Sequence, residues 1–364
     1  MTGKIQNIQA LRGVAALLVF VAHIKGAEGD YGAGGDILPH VLFMGVTGVD
    51  LFFLISGYVM VHVTDHLPRN GAQSARFLLN RAGRIYPLYW AVTIALILLY
   101  AGKKFLFGED TPIPNYLSSF LLAPNDHYPI LPVGWTLVHE IYFYLAFALF
   151  LLFHRRLLPL FLVSWAGFVI AAQAADFGTL GAGPKVWLNA LTLEFIVGCF
   201  IALAAKRGIV AFGAQALILG AAWLTVLFVL GANELYPTVM GKFMERMLIF
   251  TPPYALLLYG AVAIERSRSA VAPNYLIAAG DISYALYLVH VPVFLIVGKL
   301  LSYFAGPGSV DNVILVVAYG GFGITAAVAA HYWVEMPLLA RTKKAADRLF
   351  KARATPTIRP DRAW

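Results

Sequence analysis

The chain has 364 residues, of which 60% are hydrophobic and only 13% charged, with a formal net charge of +8. Soluble domains carry roughly a quarter of their residues as charges, so this composition excludes a water-soluble globule and predicts extensive contact with lipid. The positive balance fits the inner loops of a membrane protein, and with no basic, aromatic-interleaved soluble segment it excludes nucleic acid as an expected partner.

Ten stretches reach the roughly 17–25 apolar residues that a membrane-spanning helix needs: 8–25, 42–63, 83–101, 134–153, 157–175, 186–205, 211–230, 246–264, 281–303 and 312–333. The first contains Arg12, lacks a small-residue cleavage site and leads into further spans, so a cleavable signal peptide is not expected. Tyr116 to Ala123 is too short to span and predicts a re-entrant or interfacial piece. Cys199 is the single cysteine and lies in an apolar run, so neither an internal disulfide nor a cysteine metal cluster is expected. The basic stretch after about residue 341 predicts an amphipathic helix on the inner leaflet. The resulting division is a transmembrane domain over 1–340 and a basic cytoplasmic tail over 341–364.

Direction follows from Lys and Arg in the loops. With the N-terminus inside, 19 basic residues fall on the inner side and 5 on the outer side, Lys242 and Arg246 among the latter. The predicted fold is an all-α polytopic transmembrane helix bundle with both termini in the cytoplasm.

Charge in hydrocarbon costs about 2.5–3.5 kcal/mol even on lenient scales, so intramembrane ionisable groups are candidates for function. Arg12 and His23 are eleven residues apart, which returns them to one helix face about 16 Å apart along the axis. That spacing suits a cofactor anchored near the inner surface with chemistry deeper in the membrane; snorkelling of Arg12 and simple packing of His23 remain open. Asp50, Glu140 and His23 come to similar depths, which would suit a general acid/base site or a structural ion-pair knot. His139, Glu194 and His290 are further ionisable groups within spans. Arg81 and Arg84 share a helix face at the inner surface, where paired guanidiniums suit phosphate but ordinary positive-inside charge would also place them.

Several motifs in order carry a family resemblance. They are Arg12 followed after ten residues by His23; Gly48-Val-Asp50-Leu-Phe-Phe-Leu-Ile-Ser56-Gly57-Tyr58; Arg81-Ala-Gly-Arg84-Ile-Tyr-Pro87; Trp135-Thr-Leu-Val-His-Glu140; and Ser283-Tyr284-Ala-Leu-Tyr287-Leu-Val-His290 followed by Glu335-Met-Pro337. Together, over about residues 7–338, the chain resembles membrane acyltransferase family 3, and within it the exopolysaccharide acetyltransferases. Asn80 departs from the family, where many members carry a further arginine.

The resemblance implies an O-acyltransferase of the bacterial inner membrane. It would use cytoplasmic acetyl-CoA or another acyl-CoA as donor and a glycan or lipid-linked oligosaccharide hydroxyl as acceptor. It implies His23 as general base or acyl-carrying nucleophile, with Asp50 or Glu140 orienting it. Arg12, Arg81 and Arg84 would bind the phosphates of CoA, and Tyr284 and His290 would line the donor pocket or polarise the thioester. No metal is implied. A glycolipid transporter or a non-catalytic component of a polysaccharide assembly complex is the alternative, and a homo-oligomer is left open.

Overall fold

The structure is a computed structural model and describes residues 5–108, 111, 115–173, 181–267, 270–306 and 310–352. Ten of its helical stretches are long and apolar enough to cross a membrane, and no strand occurs among the described residues. The protein is a polytopic transmembrane helix bundle, because in hydrocarbon an uninterrupted helix satisfies its own backbone.

Helix α1 (Gln6–Tyr31) occupies the centre. It packs against α2 (Gly48–Thr64), α10 (Phe243–Arg266), α11 (Asn274–Asp281), α12 (Ser283–Ala305) and α13 (Asn312–Ala330). Its N-terminus is fixed by the Glu265 carboxylate, which accepts the backbone N–H groups of Gln6 at 2.8 Å and Asn7 at 2.6 Å. A carboxylate there meets unsatisfied donors and the positive end of the helix dipole together. The C-terminal end is fixed by a second carboxylate, here a buried one. Glu28 accepts from Lys25 and from the backbone N–H groups of Ile37 and Leu38, while Lys25 also pairs with Asp36.

A 3₁₀ turn over His40–Thr47 runs directly into α2. Helix α3 (Gly71–Phe107) is longer than its predicted span, because residues expected in an inner loop begin the helix behind the Asn70 cap, whose side chain accepts from Gln73 N–H at 2.9 Å. The stretch predicted to be too short to span forms α4 (Tyr116–Leu121). Helices α5 (Trp135–Phe150), α6 (Leu158–Gln173), α7 (Ala182–Trp187), α8 (Thr192–Lys206) and α9 (Gly213–Gly241) follow. Lys242 alone joins α9 to α10 in a tightly packed hairpin. After α13 the helix widens to a π turn over His331–Glu335 and continues as α14 (Met336–Ala352), which packs on α3.

Close approach of α2 and α8 depends on two glycines. A Cβ at Gly57 would lie 1.9 Å from the Phe195 carbonyl oxygen, and one at Gly198 would lie 1.9 Å from that of Leu54. Small residues at membrane helix interfaces let backbones meet and gain packing that lipid cannot supply. On the same side of α2, Asp50 is fully buried and accepts from Arg246 Nε of α10 at 2.9 and 3.1 Å. Arg246 also donates to the Val239 and Val46 carbonyls. Glu194 of α8 lies against Asp50 and accepts from Thr251 Oγ1 of α10 at 3.1 Å. One guanidinium therefore serves two carboxyls and joins three helices. This corrects the placement of Arg246 in an outer loop.

Two outcomes follow for stability in detergent. Gly57→Ala or Gly198→Ala should overpack the α2–α8 contact and lower stability by about 1–3 kcal/mol, whereas Gly321→Ala, with open space around it, should leave thermal unfolding nearly unchanged. Arg246→Ala leaves buried carboxyls without their cation and should cost about 3–5 kcal/mol. The double replacement Arg246→Met with Asp50→Leu should recover much of that loss; an equally unstable double variant would contradict the pairing.

Candidate functional site

Helices α2, α3, α5 and α12, with Arg12 of α1, enclose a cleft of about 820 Å³, open space at its mouth included. Its polar side chains include Arg12, Arg81, Arg84, Glu140, Ser56 and Tyr284, and its apolar walls include Phe52, Phe53 and Tyr287. Helical periodicity explains the selection on α2. Asp50, Leu54 and Gly57 share the stripe turned to α8 and α10, whereas Phe52, Ser56 and Val59 share the stripe turned to the cleft.

Glu140 is the anion of this cleft. Its Oε1 accepts from Ser56 Oγ at 3.0 Å and from the Tyr144 hydroxyl one turn along α5. Arg12 lies within electrostatic reach of Arg84, Glu140 and Glu335. The Arg81 guanidinium sits over the rings of Phe77 and Tyr144, at 5.6 and 5.9 Å from their centroids. Such stacking holds the planar group in place and leaves its edge for an anion. Three arginines against Glu140 in the cleft and Glu335 near Arg12 leave a surplus of positive charge in a confined space. Tyr284 closes one wall and donates its hydroxyl to the Ile85 carbonyl at 2.6 Å.

His23 and His290 form a second cluster. Their ring centroids are 4.7 Å apart and their planes meet at 69°. Each Nδ1 bonds a carbonyl one turn back on its own helix, His23 to Val19 at 2.8 Å and His290 to Leu286 at 3.0 Å. A carbonyl only accepts, so each neutral ring carries its proton on Nδ1 and turns an Nε2 lone pair outward. The His290 ring is 6.1 Å from that of Tyr287, a residue of the cleft wall. The histidines thus stand one aromatic ring, that of Tyr287, behind the cleft wall.

The structure brings Arg12, Arg81, Arg84, Glu140 and Tyr284 to one cavity. It does not bring His23, Asp50 and Glu140 to one point. Equal depth along the membrane leaves the direction around each helix undetermined, and Asp50 faces α10 while Glu140 faces the arginines. The partner of His23 Nδ1 is a backbone carbonyl and not a carboxylate. His290 stands beside His23, away from the arginine cluster. Tyr144, which lies one helical turn beyond Glu140, and Ser56, within the α2 motif, are site residues not singled out from the sequence. An (i, i+4) carboxylate–tyrosine pair on α5 is the signal that could have found Tyr144.

On the other side of the first turns of α5 lies a vestibule. Trp135, Val138 and His139 face it, while Thr136, Leu137 and Glu140 face the cleft. Its rim carries Tyr128, Asn189 and the exposed pair Lys185–Asp126 at 2.9 Å. The hydrogen bond from Lys185 holds the Asp126 carboxyl below its ordinary range. No group of three or more metal-ligating side chains occurs among the described residues.

Comparison with known proteins agrees with this architecture. Residues 5–332 match the family described as an acyltransferase domain. The exopolysaccharide production protein ExoZ of Rhizobium meliloti is 29% identical over 311 residues, covering 83% of this chain and 92% of that protein. The acyltransferase MdmB of Streptomyces mycarofaciens is 27% identical over 374 residues, covering 92% of each. No solved structure gives a significant match. The family match takes in nine of the ten spans whole and most of the apolar part of the tenth, and the chain therefore belongs to membrane acyltransferase family 3.

Proposed function

We propose that this acyltransferase moves an acetyl group from cytoplasmic acetyl-CoA to a hydroxyl of a surface or exopolysaccharide sugar at the bacterial inner membrane. The observation that carries this reading is the order of groups along one path. Arginines stand at one end of the cleft, aromatic walls follow, and the His23–His290 pair lies behind the Tyr287 wall. An acyl-CoA has the same order, with phosphates at one end, a neutral arm and a thioester at the other.

The basic residues of the loops support a cytoplasmic arginine end. Removing Arg246 from the outer loops sharpens that asymmetry. The vestibule beyond Trp135 then opens outward, and its aromatic and amide-bearing rim suits a sugar. Exopolysaccharide production, named for the ExoZ relative, supports a glycan acceptor.

In this reading His23 is the general base. Its backbone-held Nδ1–H leaves Nε2 to take the acceptor proton as the hydroxyl oxygen attacks the thioester carbonyl. The C–S bond breaks, and the imidazolium returns the proton to the leaving thiolate, so that an ester and free CoA result. Arg12, Arg81 and Arg84 hold the donor phosphates, and Glu140, supported by Ser56 and Tyr144, keeps the guanidiniums spread.

His23→Ala should lower transfer about 10²–10⁴-fold with unaltered thermal unfolding, measured with purified protein, labelled acetyl-CoA and glycan. Full activity in that variant rules out the proposed base. Arg84→Ala should raise KM for acetyl-CoA about tenfold or more, the value of one charge-assisted contact. Mass spectrometry of the surface glycan with and without the protein reads the transferred group, and an unchanged glycan rules out this acceptor.

A further inference from the structure

Beside the cleft, sharing Arg81 and Arg84 with it, lies a second cavity between α3 and α14. It is lined by Arg76, Asn80, Arg81, Arg84, Thr342, Lys343 and Asp347, with Leu79 and Leu339 at its apolar side. Arg81 and Arg84 line both chambers, whereas Arg76 and Lys343 belong to the outer one alone. Its second wall is α14, which begins beyond the residues matched to the family.

The sequence of α3 explains why α14 docks there. Pro87 has no N–H, so the Gly83 carbonyl, four residues earlier, lacks its ordinary helical partner. Thr342 Oγ1 of α14 lies 3.3 Å from that carbonyl and 3.0 Å from the Leu339 carbonyl of its own helix, so its one proton is shared between the two. A Cβ at Gly83 would stand 3.0 Å from the Thr342 side chain. The glycine and proline of Arg81-Ala-Gly-Arg84-Ile-Tyr-Pro87 thus open a seat that the threonine fills. Farther along, Arg76 Nη2 and Asp347 Oδ1 pair at 2.6 Å and set the register of the two helices.

We propose that the α3–α14 cavity binds the nucleotide end of the acyl-CoA, with Lys343 of α14 taking up its 3′-phosphate. This rests on the acyl-CoA donor reading. Order within the cavity matches order within the ligand. The cations shared with the inner chamber meet the diphosphate that leads to the pantetheine arm. The cations confined to the outer chamber meet the charge farthest from the thioester. Asp347 occupies part of the charge of Arg76, which leaves Lys343 as the cation that α14 itself presents to the cavity. The last helix is therefore a wall of the donor site as well as a surface helix.

The test compares KM for acetyl-CoA and for acetyl-dephospho-CoA, which lacks the 3′-phosphate, in the full-length protein. Lys343 is exposed, so its replacement leaves the fold intact. Lys343→Ala should raise KM for acetyl-CoA about tenfold, as loss of one charge-assisted contact would, with kcat unchanged. KM for acetyl-dephospho-CoA should not move, and Lys343→Arg should restore the acetyl-CoA value. Lys344→Ala, which removes the neighbouring charge outside the cavity, should leave both KM values unaltered. Equal effects of Lys343→Ala and Lys344→Ala would assign these lysines to the lipid surface and overturn the site. A KM for acetyl-CoA unmoved by Lys343→Ala also overturns it, while leaving the donor reading intact. A wild-type protein that transfers nothing from acetyl-CoA overturns both.

Discussion

An ionised side chain in hydrocarbon must find its compensation inside the protein, and the buried polar groups of this bundle divide according to how they find it. Arg246, Asp50 and Glu194 satisfy one another and tie α10, α2 and α8 together. Lys25, Glu28 and Asp36 do the same at the C-terminal end of α1, where the carboxylate also gathers loop N–H groups. Arg12, Arg81 and Arg84 meet Glu140 as their shared anion across the cleft. The two clusters in which one cation meets two carboxyls hold the frame, and the cluster with surplus positive charge lines the cavity. A deficit of anions in a confined space is the electrostatic signature of an anion-binding site.

Backbone geometry decides which groups can gather. Gly57 and Gly198 bring α2 onto α8, and that contact turns Ser56 and Phe52 toward the cleft. The carbonyls of Val19 and Leu286 select the tautomers of the two histidines. In both cases the main chain does the positioning, which suits a membrane interior where each additional polar side chain would need a partner of its own.

Much of the architecture was legible because lipid imposes a minimum length on every apolar run, and all ten expected spans reappear as helices. The pairing of Arg81 with Arg84 was legible because three residues in a helix keep to one face. Azimuth was not. Helices that are apolar all round give no stripe to show which side meets which neighbour, so the depths of Asp50, Glu140 and His23 could be read and their directions could not. Arg246 lies at the edge of an apolar run, where sequence alone cannot separate a loop cation from a buried partner. The seat of α14 escaped for another reason: it pairs Gly83 with a residue 259 positions away, and local patterns carry no trace of such a contact.

That separation also bears on biogenesis. The carbonyl bared by Pro87 emerges from the ribosome, and is inserted, long before the hydroxyl of Thr342 is synthesised. Until then it must be satisfied by water or by a transient partner at the membrane surface. The mouth between α3 and α14 is thus among the last parts of the molecule to take shape, after the spans around the histidines have been threaded.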